Sequence, residues 1–221
     1  MIKLKCVVVD IKSLDYAPSK EILSPSELVR YESFGSSKRQ REFVLGRFAT
    51  KKALSHFVEV EYLKEISIDT VTAGYPIISN ESVARDYAVS ISHSGDVAAA
   101  VAFNKNFSCG IDIESINESK KNTMAKMSPE VLSDNAELLT IAWCAKEALG
   151  KASKTGLAID RRMLEISDFS LVRDDDMCVL HGYVSFKNFP EYKCIIKKVK
   201  NKILALTENA NDFFIDFVGL D

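Results

Sequence analysis

Five consecutive residues, Gly110-Ile111-Asp112-Ile113-Glu114, set two carboxylates in strict alternation with β-branched apolar residues. In an extended strand side chains alternate faces, so Asp112 and Glu114 share one face and Ile111 and Ile113 the other. Neighbouring carboxylates repel each other unless water or a cation lies between them. Oxygen ligands held close together on a rigid strand suit Mg2+ or Mn2+, which take carboxylates, waters and substrate phosphates. The same alternation also describes an amphipathic edge strand with a solvated acidic face. Further on, Trp143-Cys144-Ala145-Lys146-Glu147-Ala148-Leu149-Gly150-Lys151 lies in a helical pattern, with Leu138, Ala142, Ala145 and Leu149 at helical spacing. Glu147 and Lys151 are one turn apart. They can reach one ligand together or form an ordinary surface ion pair.

The elements that must position these groups are readable from the pattern. Residues 5–11 form a buried strand. Ser24-Pro25-Ser26-Glu27 is a helix start with proline at the first helical position. A helix over 37–58 turns Phe43, Val44, Phe48, Ala49 and Leu54 inward, and Lys38, Arg39, Arg41, Arg47, Lys51 and Lys52 supply its charge. A strand over 66–71 precedes a turn at Gly74-Tyr75-Pro76. Strands over 87–92 and 97–103 form a hairpin around Ser94-Gly95-Asp96, with Ser92 and His93 at the first strand's end. Segment 115–134 is polar and interrupted at Ser128-Pro129. Ser133 and Asp134 are candidate N-caps for the helix that carries Glu147, and Thr155-Gly156-Leu157 closes that helix. Residues 167–172, 178–186, 192–199 and 203–207 read as antiparallel strands, with Asp174-Asp175-Asp176 as an acidic turn.

A chain of 221 residues with 47% hydrophobic and 27% charged residues is globular. Its 29 basic and 31 acidic residues give a formal charge of −2, so no bulk attraction to nucleic acid or anionic membrane is expected. No apolar run approaches membrane-spanning length and the N-terminus lacks a signal-like apolar core. Five scattered cysteines without a CxxC pair predict reduced thiols and a cytoplasmic protein.

Taken together and in this order, the two motifs resemble those of the 4'-phosphopantetheinyl transferases of the Sfp type. That family carries a Gly-[hydrophobic]-Asp-[hydrophobic]-Glu strand, then a Trp-x-x-Lys-Glu-Ala helix with another lysine four residues on. Two further family elements are matched by Ser92-His93-Ser94 and by the Gly46-Arg47 pair. The resemblance implies an α+β fold of two similar halves related by a pseudo-twofold, each a small antiparallel sheet packed against helices. Here the halves would be residues 1–105, binding the coenzyme's nucleotide, and 106–221, carrying metal and carrier sites, with coenzyme A between them. Implied metal ligands for Mg2+ or Mn2+ are Asp112, Glu114 and Glu147. Lys38, Arg41, Arg47, Ser92, His93 and Lys151 would hold coenzyme A. Tyr75 stands where the family usually has a lysine or arginine, so the resemblance implies one cationic anion contact fewer there.

The implied reaction moves 4'-phosphopantetheine from coenzyme A to a serine of an apo acyl or peptidyl carrier protein, releasing 3',5'-ADP. Glu147 or a metal-bound water would take the serine proton, and Lys151 would act on the phosphate. The carrier would dock on segment 115–134 through Lys120, Lys121 and Lys126 interleaved with Met124 and Met127, and the enzyme would act as a monomer. Two rivals share these residues: a Mg2+-dependent phosphohydrolase, and a non-catalytic relative that binds coenzyme A or carrier.

Overall fold

The computed structural model describes residues 2–10, 12, 19–72, 74–154, 160–174, 179–209 and 213–219. The chain forms two compact units of mixed α/β structure, dividing between Phe107 and Ser108. Thr155-Gly156-Leu157, Asp175, Asp176 and Cys178 lie outside the described residues.

The first unit is built on β1 (Ile2–Asp10), β4 (Tyr87–Ser94), β5 (Val97–Asn104) and β11 (Phe213–Val218), in the order β11-β1-β5-β4. β5 is central and pairs antiparallel with β1 and β4. Its Ala98, Ala99, Ala100 and Ala102 are fully buried, and these small side chains let a helix lie close. That helix is α3 (Ser37–Leu54), whose Val44, Leu45, Phe48, Ala49, Ala53 and Leu54 meet Ala98, Ala100 and Ala102 in one core. Around it stand α1 (Ser19–Ile22), α2 (Pro25–Glu32), α4 (Glu81–Asp86) and a small hairpin of β2 (Ile68–Thr70) and β3 (Pro76–Ile78). Gly74-Tyr75 makes the turn of that hairpin, and Gly95-Asp96 the two-residue turn between β4 and β5. β11 runs parallel to β1. The 106–221 half expected from sequence therefore loses its last strand to the first unit.

Two of the cations that supply the charge of α3, Arg47 and Lys51, point inward. Lys51 has no exposed surface, and Arg47 is 6% exposed. Both meet Glu27, which caps α2: Ser24 donates its backbone N–H to Glu27 Oε2 at 2.8 Å, and Ser24 Oγ accepts from Glu27 N–H. Glu27 Oε1 also accepts the Ile68 N–H at 3.0 Å, and Lys51 Nζ donates to Glu27 Oε2 and, at 2.7 Å, to the Ile22 carbonyl. Arg47 Nε lies 3.2 Å from Glu27 Oε1, and its guanidinium sits 4.5 Å over the Phe43 ring. Burial lowers the pKa of both cations, and the Glu27 carboxylate opposes that shift. One carboxylate thus ties α1, α2, α3 and β2 together.

The second unit is a five-stranded antiparallel sheet in the order β6 (Cys109–Ser115), β10 (Lys202–Glu208), β9 (Lys193–Val199), β8 (Val179–Phe186), β7 (Ile166–Asp174). Its core lies under α6 (Ala136–Ala152), where Leu139, Ala142, Cys144, Ala145, Ala148 and Leu149 pack on Ile203, Ala205, Ile196 and Cys194. The N-cap of α6 is Asn135, whose side chain accepts from the Glu137 and Leu138 N–H groups. The sequence pointed to its neighbours, but Ser133 bonds Asn135 N–H and Asp134 pairs with Lys121. α6 is C-capped by Ser153, and Lys154, just beyond it, takes a left-handed conformation with φ 55°. Preceding α6, α5 (Lys121–Met127) stops at Ser128-Pro129. Cys6, Cys109, Cys144 and Cys194 are buried and in no disulfide. Among the described residues, no helix is long and apolar enough to cross a membrane.

Candidate active site

Period-2 alternation places Gly110, Asp112 and Glu114 on the face of β6 that meets α6. Gly110 is where the two elements touch. A Cβ there would lie 2.2 Å from the Ala148 carbonyl oxygen and 2.5 Å from Ala152 N, so only glycine admits the helix backbone. This close approach brings the last turn of α6 over the acidic strand. Lys151 Nζ donates to Asp112 Oδ1 at 2.8 Å and to the Ile111 carbonyl at 2.9 Å. The lysine that could have been a helical partner of Glu147 thus reaches across to β6.

Asp112 is 5% exposed and Glu114 partly buried. Burial, followed by the Asp112 charge, pushes the Glu114 acid up from its ordinary range. Lys120, 3.7 Å from Glu114 Oε2, and the Trp143 indole N–H that bonds Glu114 oppose that shift. The tryptophan of the helical motif therefore has a specific polar partner. Cys144 donates its thiol to the Ile203 carbonyl and also contacts Asp112; burial and that carboxylate push its pKa well up. Lys146 is structural: it is fully buried, bonding Glu130 Oε1 at 2.7 Å and the Met127 carbonyl at 2.9 Å.

Glu147 goes elsewhere. Its carboxylate accepts from Arg161 Nε at 2.6 Å (Oε1) and Arg161 Nη2 at 3.2 Å (Oε2). The structure thus brings together Asp112, Glu114, Trp143 and Lys151 and holds the third carboxylate on an arginine. Among the described residues no group of three His, Cys, Asp or Glu side chains is arranged to hold a metal ion. Asp112 and Glu114 still fit a hard divalent cation. Mg2+ commonly takes one or two carboxylates plus phosphate oxygens and water, and a cation between these two would offset both the burial and the Asp112 repulsion that raise Glu114.

The first-unit candidates occupy separate elements. Lys38 and Arg41 are exposed on the first half of α3, and Lys38 lies 3.9 Å from Glu42. Arg47 is spent on Glu27 and Phe43, so it does not reach the surface as a phosphate ligand would. Tyr75 is 41% exposed at a hairpin tip. At the end of β4, His93 is exposed while Ser92 is buried. In segment 115–134, Met124 is 3% exposed and receives the Thr140 hydroxyl on its sulfur. It is a core residue and lines no docking surface. Lys120 and Lys126 are exposed, Met127 and Lys121 partly so, and Lys121 pairs with Asp134 at 2.7 Å.

Arg161 was invisible to spacing arguments, since it lies beyond both motifs. One signal was present: Gly150, a glycine inside a strong helix, which normally has a packing reason.

The 4'-phosphopantetheinyl transferase superfamily matches residues 108–191. A holo-[acyl-carrier-protein] synthase of Streptococcus thermophilus is 36% identical over 102 residues, 43% of this chain and 85% of that protein. The chain belongs to the 4'-phosphopantetheinyl transferase superfamily. A second relative, the holo-[acyl-carrier-protein] synthase of Staphylococcus carnosus, is 33% identical over 89 residues, covering 37% of this chain and 72% of that protein. Among solved structures, a holo-(acyl-carrier-protein) synthase from Bacillus anthracis in complex with CoA (3',5'-ADP) is 27% identical, covering 47% of this chain and 96% of that one at a TM-score of 0.40. The superfamily's matched region holds β6, α5 and α6, the elements that carry the acidic strand and the Trp-x-x-Lys-Glu-Ala helix.

Proposed function

We propose that this transferase moves 4'-phosphopantetheine from coenzyme A to a serine of an apo carrier protein and releases 3',5'-ADP. The observation that carries the reading is the Asp112–Glu114 pair facing Lys151 on α6, in a region matching the superfamily. The serine oxygen forms a bond to the phosphorus bearing the pantetheine arm, and the bond from that phosphorus to the bridging oxygen breaks. The serine proton leaves to Glu147 or to water, and 3',5'-ADP departs with the electron pair. Catalysis of such a step is positioning plus neutralisation of charge. When bound, Mg2+ or Mn2+ supplies charge neutralisation on the pyrophosphate, held by Asp112 and Glu114. Lys151 is fixed by Asp112 and the Ile111 carbonyl, so its positive charge is already in place beside the acidic pair to stabilise the departing oxygens. Lys38, Arg41, Tyr75 and His93 supply the coenzyme's other contacts, and buried Ser92, like Arg47, is not among them. The two-unit chain, only part of which matches the shorter relatives, supports the Sfp type.

Lys151→Met is expected to lower kcat by about 10²-fold with a change in melting temperature of only a few degrees. Steady-state rates beside thermal melts check this. A large melting loss with normal kcat would make Lys151 a purely structural partner of Asp112. Release of 3',5'-ADP should require an apo carrier; release at the same rate without carrier would favour the phosphohydrolase.

For the carrier, the docking surface keeps exposed Lys126 and gains Leu132, 96% exposed between α5 and α6. Such a surface offers a cation beside an apolar centre to a partner with acidic residues near its serine. Lys120 is the wrong residue to vary, because it reaches Glu114. Lys126→Glu with Leu132→Asp is expected to raise the carrier KM about tenfold and leave the coenzyme A KM alone. An unchanged carrier KM would move docking to another surface.

A further inference from the structure

Arg161 opens a short 3-10 turn, Arg161–Met163, whose start is fixed by Asp160 accepting the Arg162 N–H at 2.9 Å. From there its side chain turns back onto α6. Two parallel donors meet the two oxygens of Glu147, at 2.6 and 3.2 Å, and both side chains are largely withdrawn from solvent, at 8% and 17% exposure. The guanidinium lies flat on Gly150. A Cβ at that position would come within 3.0 Å of Arg161 Cζ, Nη1 and Nη2. Glycine inside a helix costs about 1 kcal/mol relative to alanine, and here it makes the seat for the arginine. Fork-on-fork pairing of arginine with carboxylate is geometrically specific and strong for its kind.

The consequence concerns the metal. Asp112 and Glu114 face α6 as a pair, while the third acidic residue of the motif is already answered by a cation of the protein's own. A divalent ion reaching Glu147 must displace the guanidinium or share the carboxylate with it, and two cations on one carboxylate repel. We propose that Arg161 is a positioning residue that competes with the divalent cation for Glu147, so that the site takes its third carboxylate only by exchange. Before exchange the ion has two protein carboxylates; after it, three, with the guanidinium released beside the site. The inference rests on the reading that Asp112 and Glu114 take a divalent ion.

The test is Mn2+ binding to the full chain without coenzyme, followed by electron paramagnetic resonance, for wild type, Arg161→Met, Glu147→Gln and the double variant. Arg161→Met is expected to bind Mn2+ about tenfold more tightly, the lower end of measured coupling for close charge pairs. In the Glu147→Gln background the same substitution should change nothing. Arg161→Lys, which keeps the charge and loses the fork, should fall between wild type and Arg161→Met and serves if the methionine variant is unstable. Unchanged or weaker Mn2+ binding in Arg161→Met overturns the inference, as does an equal gain in the Glu147→Gln background, which would reduce Arg161 to general repulsion. Failure of the metal reading itself looks different: no saturable Mn2+ binding sensitive to Asp112→Asn in any variant, which overturns both.

Discussion

Asp112→Asn is expected to lower carrier modification in excess Mg2+ by about 10³-fold, equivalent to ~4 kcal/mol of barrier, with the fold intact. Asparagine keeps the shape of the side chain. Lys151 keeps the Ile111 carbonyl as an acceptor. Stability should therefore hold, the more so because removing the Asp112 charge relieves the neighbour whose acid it pushes up, Glu114. What disappears is half of the paired negative charge that fits a divalent cation, and the counter-ion that aims Lys151. Rates at saturating coenzyme A and carrier, set beside thermal melts, check the outcome. Activity within about threefold of wild type would remove Asp112 from the reaction.

The largest loss of stability is expected from Glu27→Ala, about 3–5 kcal/mol. Removing that carboxylate leaves Lys51, with no exposed surface, dependent on the Ile22 carbonyl alone among its described partners, and leaves Arg47 without its buried counter-charge. The same change removes the Glu27 half of the α2 capping box, the acceptor of the Ser24 N–H, and the acceptor of the Ile68 N–H. An exposed pair such as Lys187 with Glu165, 3.1 Å apart, gives the contrast: its loss should cost no more than about 1 kcal/mol. Urea unfolding with an unchanged denaturant slope measures both. A Glu27→Ala variant less than about 1 kcal/mol below wild type would show that water reaches the buried cations.

The acidic strand and the α6 helix were legible because each has a period that one face must satisfy. Alternation set Asp112 and Glu114 on one side of β6, whereas the contact of α6 with the strand at Gly110 was not read from the sequence. The α3 helix was legible as a helix but not in its polarity. Nothing local distinguishes Lys51, buried against a carboxylate 24 positions earlier, from exposed Lys52 beside it. Its acidic partner was visible only as the third residue of a helix start. Met124 was misplaced for a related reason: among the lysines of α5 it resembles an adaptable surface residue, and only the packing of Thr140 across from it shows otherwise. β11 joins β1 from the opposite end of the chain, a pairing that no short-range pattern specifies. Arg161 depends on a fold-back onto Gly150, so its role follows from the third dimension.

The measurement that bears most directly on the function is the intact mass of an apo carrier protein after incubation with this enzyme, coenzyme A and Mg2+. The carrier should gain the mass of one 4'-phosphopantetheine group, one equivalent of 3',5'-ADP should appear, and a carrier with its modified serine changed to alanine should gain nothing. A panel of apo carriers from fatty acid, polyketide and nonribosomal peptide synthesis left unmodified, by wild-type protein shown to bind coenzyme A, would contradict the account.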